Sequence, residues 1–140
     1  MAPRMHPAMA SDHYRLLDLS SRVESASPHG LVGLLYEELL HRLDLAIAAG
    51  ERGQSLSGNN HVAKAQSIII ALEASIDFER GGELALRLAR IYRACREEIS
   101  ESCTPGNASR LSEIRAAISN IAYAWQALGP IRRRSEPSQH

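Results

Sequence analysis

The chain has 140 residues and a formal net charge of +0, because 16 basic residues balance 16 acidic ones. Hydrophobic residues make up 44% of it and aromatic residues only 4%, so we expect one domain with an aliphatic, helix-favouring core. A neutral chain without a basic stripe has no electrostatic reason to bind nucleic acid, and no apolar run reaches the roughly 20 residues of a membrane span.

The N-terminal segment has the weakest pattern. Residues 1–10 contain two prolines and no continuous apolar stretch, which predicts a flexible leader rather than a signal peptide. Residues 11–22 predict a short, weak helix with Leu16, Leu17 and Leu19 as its apolar positions. We therefore assign residues 1–22 to a leader and helix outside the main domain.

The first long helix has a clear start. Ser27 before Pro28 is an N-cap followed by proline at the first helical position. Apolar residues then follow at helical spacing, at Leu31, Leu35, Leu39, Leu43 and Ile47. Gly50 ends the run, and the Gly-, Ser- and Asn-rich residues 51–60 predict a loop.

Three more helices are predicted after this loop. The second covers residues 61–80 with the stripe Val62, Ala65, Ile69, Leu72 and Ile76, and Gly81 and Gly82 break it. The third carries Leu84, Leu88, Ile91, Cys95 and Ile99; after a break at residues 104–107, the fourth carries Leu111, Ile114, Ile118, Ile121, Trp125 and Leu128. Short loops make sequential helices antiparallel. Residues 23–129 thus predict an all-α, up-and-down four-helix bundle, and residues 130–140 a disordered tail.

The apolar residues exceed what these stripes need. Flanking positions either widen an ordinary core or form a groove for an apolar helix from another chain. Taken together, the surplus favours the groove. The predicted lining residues lie off or beside the stripes: Leu34, Tyr36, Leu40, Ile68, Ala71, Ser75 and Tyr92. We expect Tyr36 and Tyr92 to bury their rings and keep their hydroxyls at the edge, and Trp125 to belong to the core.

Candidate catalytic and metal-binding residues are few. Glu38 and His41 form one Glu-x-x-His pair, whereas a di-iron bundle needs two such pairs and further glutamates. Cys95 and Cys103 are about 12 Å apart along a helix, too far for a disulfide, so we expect two free thiols. A metal-binding or enzymatic bundle using Glu38 and His41 remains an alternative, as does a self-associating helical adaptor.

Four short motifs follow one another in a fixed order. The first consists of Val23, Ala26-Ser27-Pro28, Leu31 and Leu35-Tyr36-Glu37, and the second of Lys64-Ala65-Gln66, Ile68-Ile69 and Leu72. The third runs from Ser75-Ile76-Asp77 through Gly81-Gly82-Glu83-Leu84-Ala85 to Leu88 and Ile91-Tyr92, and the fourth is Ala124-Trp125. Over residues 23–128 this set resembles the flagellin-specific export chaperone family, FliS.

The resemblance implies a four-helix bundle that is not an enzyme and uses no cofactor. It implies that the chain binds the disordered C-terminal segment of flagellin in the cytoplasm and prevents premature polymerisation. It also implies delivery of flagellin to the export gate of the flagellar type III secretion system. We expect no nucleic-acid partner, no membrane insertion, and a free protein that is a monomer or weak homodimer.

The chain departs from the family pattern at three places. Arg15 and Asp18 stand where the family usually has aromatic residues, in a segment tied to docking at the export gate. Tyr14, Leu16, Leu17 and Leu19 are therefore predicted to dock there instead, or to form a strap over the groove. Glu38 replaces a commonly small residue, and Ala122 and Tyr123 replace a charged pair.

Overall fold

The computed structural model describes residues 7–128, and side chains from Tyr14 onward. These residues form five helices: α1 Pro7–Ser25, α2 Pro28–Glu51, α3 Asn60–Ala74, α4 Phe78–Ser102 and α5 Arg110–Leu128. The described residues contain no strand, so the predicted all-α class is confirmed. The predicted tail and residues 1–6 of the predicted leader lie outside the described part of the chain.

Helix α2 begins where the sequence predicts. The Ser27 side chain caps its N-terminus by accepting a hydrogen bond from the Gly30 amide at 3.0 Å. Pro28 occupies the first helical turn, where no amide hydrogen is needed. The helix then continues to Glu51, one residue past the glycine expected to end it.

The junction between α3 and α4 differs from the prediction of one helix over residues 61–80. Helix α3 ends at Ala74, and α4 begins at Phe78. The cause is Asp77, whose carboxylate accepts hydrogen bonds from the amides of Glu79 and Arg80 at 3.1 and 3.0 Å. Such an N-cap satisfies the free amides of a new helix and so divides the apolar run in two.

The Gly-Gly pair lies inside α4 and does not separate two bundle helices. Gly82 has φ +52° and ψ −129°, a backbone conformation that a residue with a Cβ rarely adopts. The residue therefore kinks α4 after its first turn. The prediction that this pair breaks the helix is right about the local geometry and wrong about where α4 starts.

Helices α2 to α5 form a four-membered bundle. Helix α2 packs against α3 and α5, and α4 packs against the same two helices from the opposite corner. The contacts of Trp125 with His29 and of Arg115 with Asp44 show that α5 runs antiparallel to α2. The largest aliphatic side chains without solvent exposure come from all four helices: Leu39, Leu43, Ile69, Leu72, Ile99, Leu111 and Ile118.

Two of the predicted apolar stripes are buried only in part: Leu39, Leu43, Cys95 and Ile99 are buried as expected. The α3 and α5 stripes are buried as expected over most of their length. On α2 and α4, however, Tyr36 and Tyr92 are 2% exposed, whereas Leu31, Leu84 and Ile91 are exposed. The hydroxyls of Tyr36 and Tyr92 bond to each other inside the bundle, so both rings can turn inward without leaving a polar group unsatisfied.

Helix α1 is longer than predicted and lies outside the bundle. It includes residues 7–10 of the predicted leader and continues past residue 22 to Ser25. It packs against α2, and Ala26 and Ser27 connect the two helices. None of the helices in residues 7–128 combines the length and apolar character needed to cross a membrane.

Candidate functional site

An open groove of about 710 Å³ lies between the N-terminal half of α2 and the C-terminal half of α5, and the end of α1 forms part of its wall. We call it the α2/α5 groove. It is lined by Arg22, Ser25, Ala26, His29, Gly30, Gly33, Leu34, Tyr36, Glu37, Leu40, Ser119, Ala122, Tyr123, Trp125 and Gln126.

Small residues keep this groove open. On α2 they are Gly30 and Gly33, and on α5 they are Ser119 and Ala122. A Cβ atom placed on Gly33 would meet no other atom within 4 Å. Glycine in mid-helix weakens the helix by about 1 kcal/mol relative to alanine, so Gly33 leaves space in the groove where a side chain would be tolerated and would help the helix.

Trp125 and His29 form the end of the groove. Their rings are stacked, with centroids 4.6 Å apart and planes 13° from parallel. The Trp125 indole N–H also donates to the backbone carbonyl of His29 at 3.0 Å. Trp125 packs on the core as predicted but stays half-buried, because one part of its ring lines the groove.

Tyr36 connects the floor of the groove to the centre of the bundle. Its hydroxyl forms a short hydrogen bond with the hydroxyl of Tyr92, diagonally across the core. Burial raises the pKa of both phenols above the ordinary value of 10.0. The prediction that these hydroxyls lie at the edge is therefore wrong: each satisfies the other inside the core, so neither needs water.

A charged cluster fixes α1 to α2. Glu38 accepts a hydrogen bond from Arg15 of α1 at 2.6 Å and one from Arg42 at 3.1 Å. The Arg42 side chain is 7% exposed and also contacts Nδ1 of His61 at 3.0 Å. Near the C-terminal end of α1, Arg22 pairs with Glu37 at 3.0 Å. The described contacts of α1 with α2 thus include two interhelical ion pairs.

The same cluster bears on the metal-binding alternative. Each oxygen of the Glu38 carboxylate accepts a hydrogen bond from an arginine, which leaves it poorly placed to bind a cation. Within residues 7–128, no three His, Cys, Asp or Glu side chains come together as metal ligands. Cys95 and Cys103 are free thiols, as expected.

The structure divides the predicted groove residues into two sets. Leu34, Tyr36 and Leu40 line the α2/α5 groove, although Tyr36 and Leu34 are largely buried. On α3, Ile68 is half-buried against the core, and Ala71 and Ser75 are exposed. The seventh residue, Tyr92, is a core residue on α4 and reaches the site only through Tyr36.

The predicted N-terminal site residues lie on α1. Tyr14, Leu16 and Leu17 are 72%, 54% and 56% exposed, whereas Leu19 is half-buried. Arg15 and Arg22 of α1 form ion pairs with Glu38 and Glu37 of α2. Three of the four predicted apolar side chains therefore remain on the surface while α1 is packed against α2.

The α5 wall of the groove and the small residues that keep it open are absent from the predicted site residues. Ala26, Gly30 and Gly33 follow one another at helical spacing, and Ser119 and Ala122 do so on α5. Such small residues on one face allow another helix backbone to approach closely. None of the predicted lining residues lies on α5, so the small residues of that helix were not among them.

These features define a small helical-bundle protein with an open, largely apolar groove of the kind that accepts a helix from another chain. The chain belongs to the FliS family: the family model described as flagellar protein FliS matches residues 10–132.

Three bacterial relatives show how far the similarity extends. The chain is 33% identical over 124 residues to flagellar secretion chaperone FliSB of Pseudomonas aeruginosa, which covers 89% of this chain and 98% of the relative. It is 31% identical over 127 residues to flagellar secretion chaperone FliS of Salmonella typhimurium; the matched residues cover 90% of this chain and 94% of the relative. It is 27% identical over 117 residues to flagellar secretion chaperone FliS of Vibrio cholerae; the matched residues cover 84% of this chain and 86% of the relative.

Proposed function

We propose that this chain is a cytoplasmic export chaperone that binds the C-terminal segment of flagellin in the α2/α5 groove. Occupancy of the groove keeps that segment from polymerising, and the complex is delivered to the flagellar type III export apparatus. Membership of the FliS family supports this function, as do the names of relatives similar over most of their length. The observation that carries the proposal is the open groove with an unfilled space at Gly33.

The groove suits a disordered chain that folds on binding. Burying apolar surface contributes about 25 cal/mol per Å², which offsets the entropy lost when the segment becomes ordered. Gly30, Gly33 and Ala122 let a helix backbone approach, and Leu34 and Leu40 supply apolar contact below it. Ser119 and Gln126 add polar groups that orient the bound segment.

The residues predicted on α3 form a second proposed contact. Ile68, Ala71 and Ser75 follow one another at helical spacing on a single flank. Gln66 and Glu73, which bond to α4, lie on the opposite flank. A flagellin segment long enough to leave the α2/α5 groove would reach the α3 flank by passing around α2.

For α1 we propose docking at the export gate rather than a strap over the groove. A strap would turn its apolar side chains toward the bundle. Tyr14, Leu16 and Leu17 instead remain exposed, which supports an outward contact with a second protein. The structure also leaves the α2/α5 groove open beside the end of α1.

The experiment that tests flagellin binding fills the groove. Gly33→Leu adds a side chain to open space and replaces a poor helix former. It should abolish binding of a peptide from the C-terminal segment of the same organism's flagellin, measured by calorimetry, while circular dichroism shows an unchanged helical fold. Wild-type protein that fails to bind the peptide at micromolar concentration would contradict the proposed function.

Two matched variants locate the contact. Ala94→Leu adds a leucine to an exposed position on α4 and should bind as the wild type does. Ala71→Glu places a charge on the proposed α3 contact and should weaken binding without abolishing it. Light scattering before and after addition of the peptide measures whether the free protein is a monomer or a weak homodimer, the two states that we propose for it.

A further inference from the structure

The exposed face of α4 separates its charges by sign along the helix. Residues 87–96 contain four arginines and no acidic residue, and residues 97–101 contain three glutamates and no basic residue. The exposed positions follow one another in steps of three and four, as along one face of a helix. We call this face the α4 stripe; its residues are Arg87, Arg90, Ala94, Glu97, Glu101 and, beside them, Glu98.

The stability of α4 itself does not explain this order of charges. Acidic side chains near the C-terminal end of a helix are unfavourable to its dipole, and the last turn of α4 has no basic residue. Within the described residues, Arg90 and Glu98 form no salt bridge. Arg93 and Glu97 do pair at 3.5 Å, but their side chains are 76% and 69% exposed, so this pair is weak and can exchange partners. The stripe therefore presents charges that contribute little to the single chain.

We propose that the α4 stripe is the contact surface between two copies of this chain, in which the two α4 helices lie antiparallel about a two-fold axis near Ala94. The inference goes beyond the proposed function and does not depend on flagellin binding. It assigns a surface and an orientation to the weak homodimer.

The order of charges on the stripe is complementary to itself. Antiparallel pairing about the centre of the stripe places the basic half of each copy against the acidic half of the other. Arg90 then lies opposite Glu97 of the second copy, and Arg87 lies opposite Glu98. A two-fold interface requires such a self-complementary surface, and charges beside a helix pair set its orientation. Two copies meet without overall repulsion, because the net charge of the chain is +0.

Ala94 lets the two helices approach each other closely. It is exposed at the centre of the stripe, and helices that meet through small residues can pack with their axes about 8 Å apart. Ile91, which is 39% exposed one turn away, adds apolar contact at the flank. Exposed ion pairs each contribute little, so we expect a weak dimer. Because α2 and α4 occupy opposite corners of the bundle, the dimer leaves the α2/α5 groove accessible.

The test measures self-association of the full chain by analytical ultracentrifugation at low salt. Wild-type protein should form a concentration-dependent dimer that weakens in 1 M salt, where charges are screened over about 3 Å. Arg87→Glu/Arg90→Glu makes the whole stripe acidic, and Glu97→Arg/Glu98→Arg makes most of it basic. Each variant alone should associate at least about tenfold more weakly, because like charges then face each other. An equimolar mixture of the two should form a heterodimer, because opposite charges meet again.

A matched control separates the stripe from net charge. Arg52→Glu/Lys64→Glu changes the net charge as Arg87→Glu/Arg90→Glu does, at exposed positions outside α4, and should dimerise as the wild type does. Circular dichroism should show the same helical fold in all variants. Wild-type protein that stays monomeric at low salt overturns the inference, as does a dimer that charge reversal of the stripe leaves unchanged or that mixing fails to restore.

Crosslinking tests the antiparallel arrangement directly. In a chain carrying Cys95→Ala/Cys103→Ala, the variant Ala94→Cys should form a disulfide between copies under mild oxidation, because the two-fold axis brings the two positions together. Ala116→Cys, at an exposed position on α5, is the control and should crosslink much more slowly. Equal crosslinking at the two positions overturns the inference. Calorimetry with the flagellin peptide is unaffected by either result, so the dimer and the proposed function can fail separately.

Discussion

The hydroxyls of Tyr36 and Tyr92 form a short hydrogen bond to each other across the core, joining two helices that occupy opposite corners of the bundle. Both side chains are 2% exposed. Since a buried hydroxyl without a partner is costly, this pair fixes how α2 and α4 are rotated about their axes. It also holds Tyr36 where its ring meets Trp125, edge to face at 6.4 Å.

Removing one hydroxyl of this pair should destabilise the protein more than removing both. Tyr92→Phe leaves the Tyr36 hydroxyl buried without a partner, which costs about 1–3 kcal/mol, whereas replacing both partners with apolar groups is close to neutral. Urea denaturation of wild type, the two single variants and the double variant measures this as a double-mutant cycle. A double variant whose loss equals the sum of the two single losses would show that the hydroxyls do not depend on each other.

Stability should fall as the solution becomes strongly alkaline. Burial raises the pKa of Tyr36 and Tyr92 in the folded protein, whereas tyrosines of the unfolded chain ionise near pH 10. Unfolding therefore releases protons above that pH, so the free energy of unfolding decreases as the pH rises. Denaturation curves at pH values on either side of about 10 should show this decrease, and Tyr36→Phe/Tyr92→Phe should show a smaller one.

The two cysteines should differ in reactivity. Burial, with a smaller effect of Glu98, raises the pKa of Cys95 from 9.0 to about 11. The thiolate is the reactive form, so Cys95 should react with an alkylating reagent much more slowly than the partly exposed Cys103. Mass spectrometry of peptides after timed alkylation measures both rates. Cys95→Ala should leave the fast alkylation, which we assign to Cys103, unchanged. Loss of the fast alkylation in this variant would show that Cys95 is the more reactive thiol.

Glu38→Gln should loosen α1 and weaken the bundle. The Glu38 and Arg42 side chains are 12% and 7% exposed, so the variant leaves the Arg42 guanidinium buried without its counter-charge. Breaking such a pair costs about 3 kcal/mol. Hydrogen exchange should show faster exchange of the α1 amides, because Arg15 loses its partner as well.

Arg22→Gln is the comparison for this variant. It removes an ion pair whose two side chains are both exposed, and such pairs contribute at most about 1 kcal/mol. It should speed hydrogen exchange of the α1 amides without a large change in the urea concentration at the unfolding midpoint. Equal destabilisation by both variants would indicate that the burial of Arg42 has no energetic role.

The number of bundle helices follows from local rules in the sequence. Ser27-Pro28 starts α2, and the steps of three and four in α3 and α5 mark their buried faces. Tertiary packing decided the rest. Tyr36 and Tyr92 occupy the buried faces, and Leu31 and Ile91 are exposed. The cause is the hydrogen bond between the two tyrosine hydroxyls, which the pattern of a single helix cannot predict.

The groove was predictable only in part for a related reason. Large apolar residues identify where surface is buried, and Leu34 and Leu40, which were predicted from that pattern, line the α2/α5 groove. Gly33 has no side chain and Ala122 has a small one. These residues open a groove only because α2 and α5 lie side by side. The α5 wall therefore depends on the pairing of two segments more than 80 residues apart in the chain, which one sequence does not specify.

The ion pairs that hold α1 also make its attachment responsive to ionic strength. Charges are screened over about 8 Å at physiological salt and about 3 Å at 1 M, whereas burial in the aliphatic core is not weakened in this way. The pair between Arg22 and Glu37, exposed beside the groove, is the one that screening affects most. Salt would thus weaken the attachment of α1 beside the groove while the bundle stays folded, so affinities for a groove ligand are comparable only at a single salt concentration.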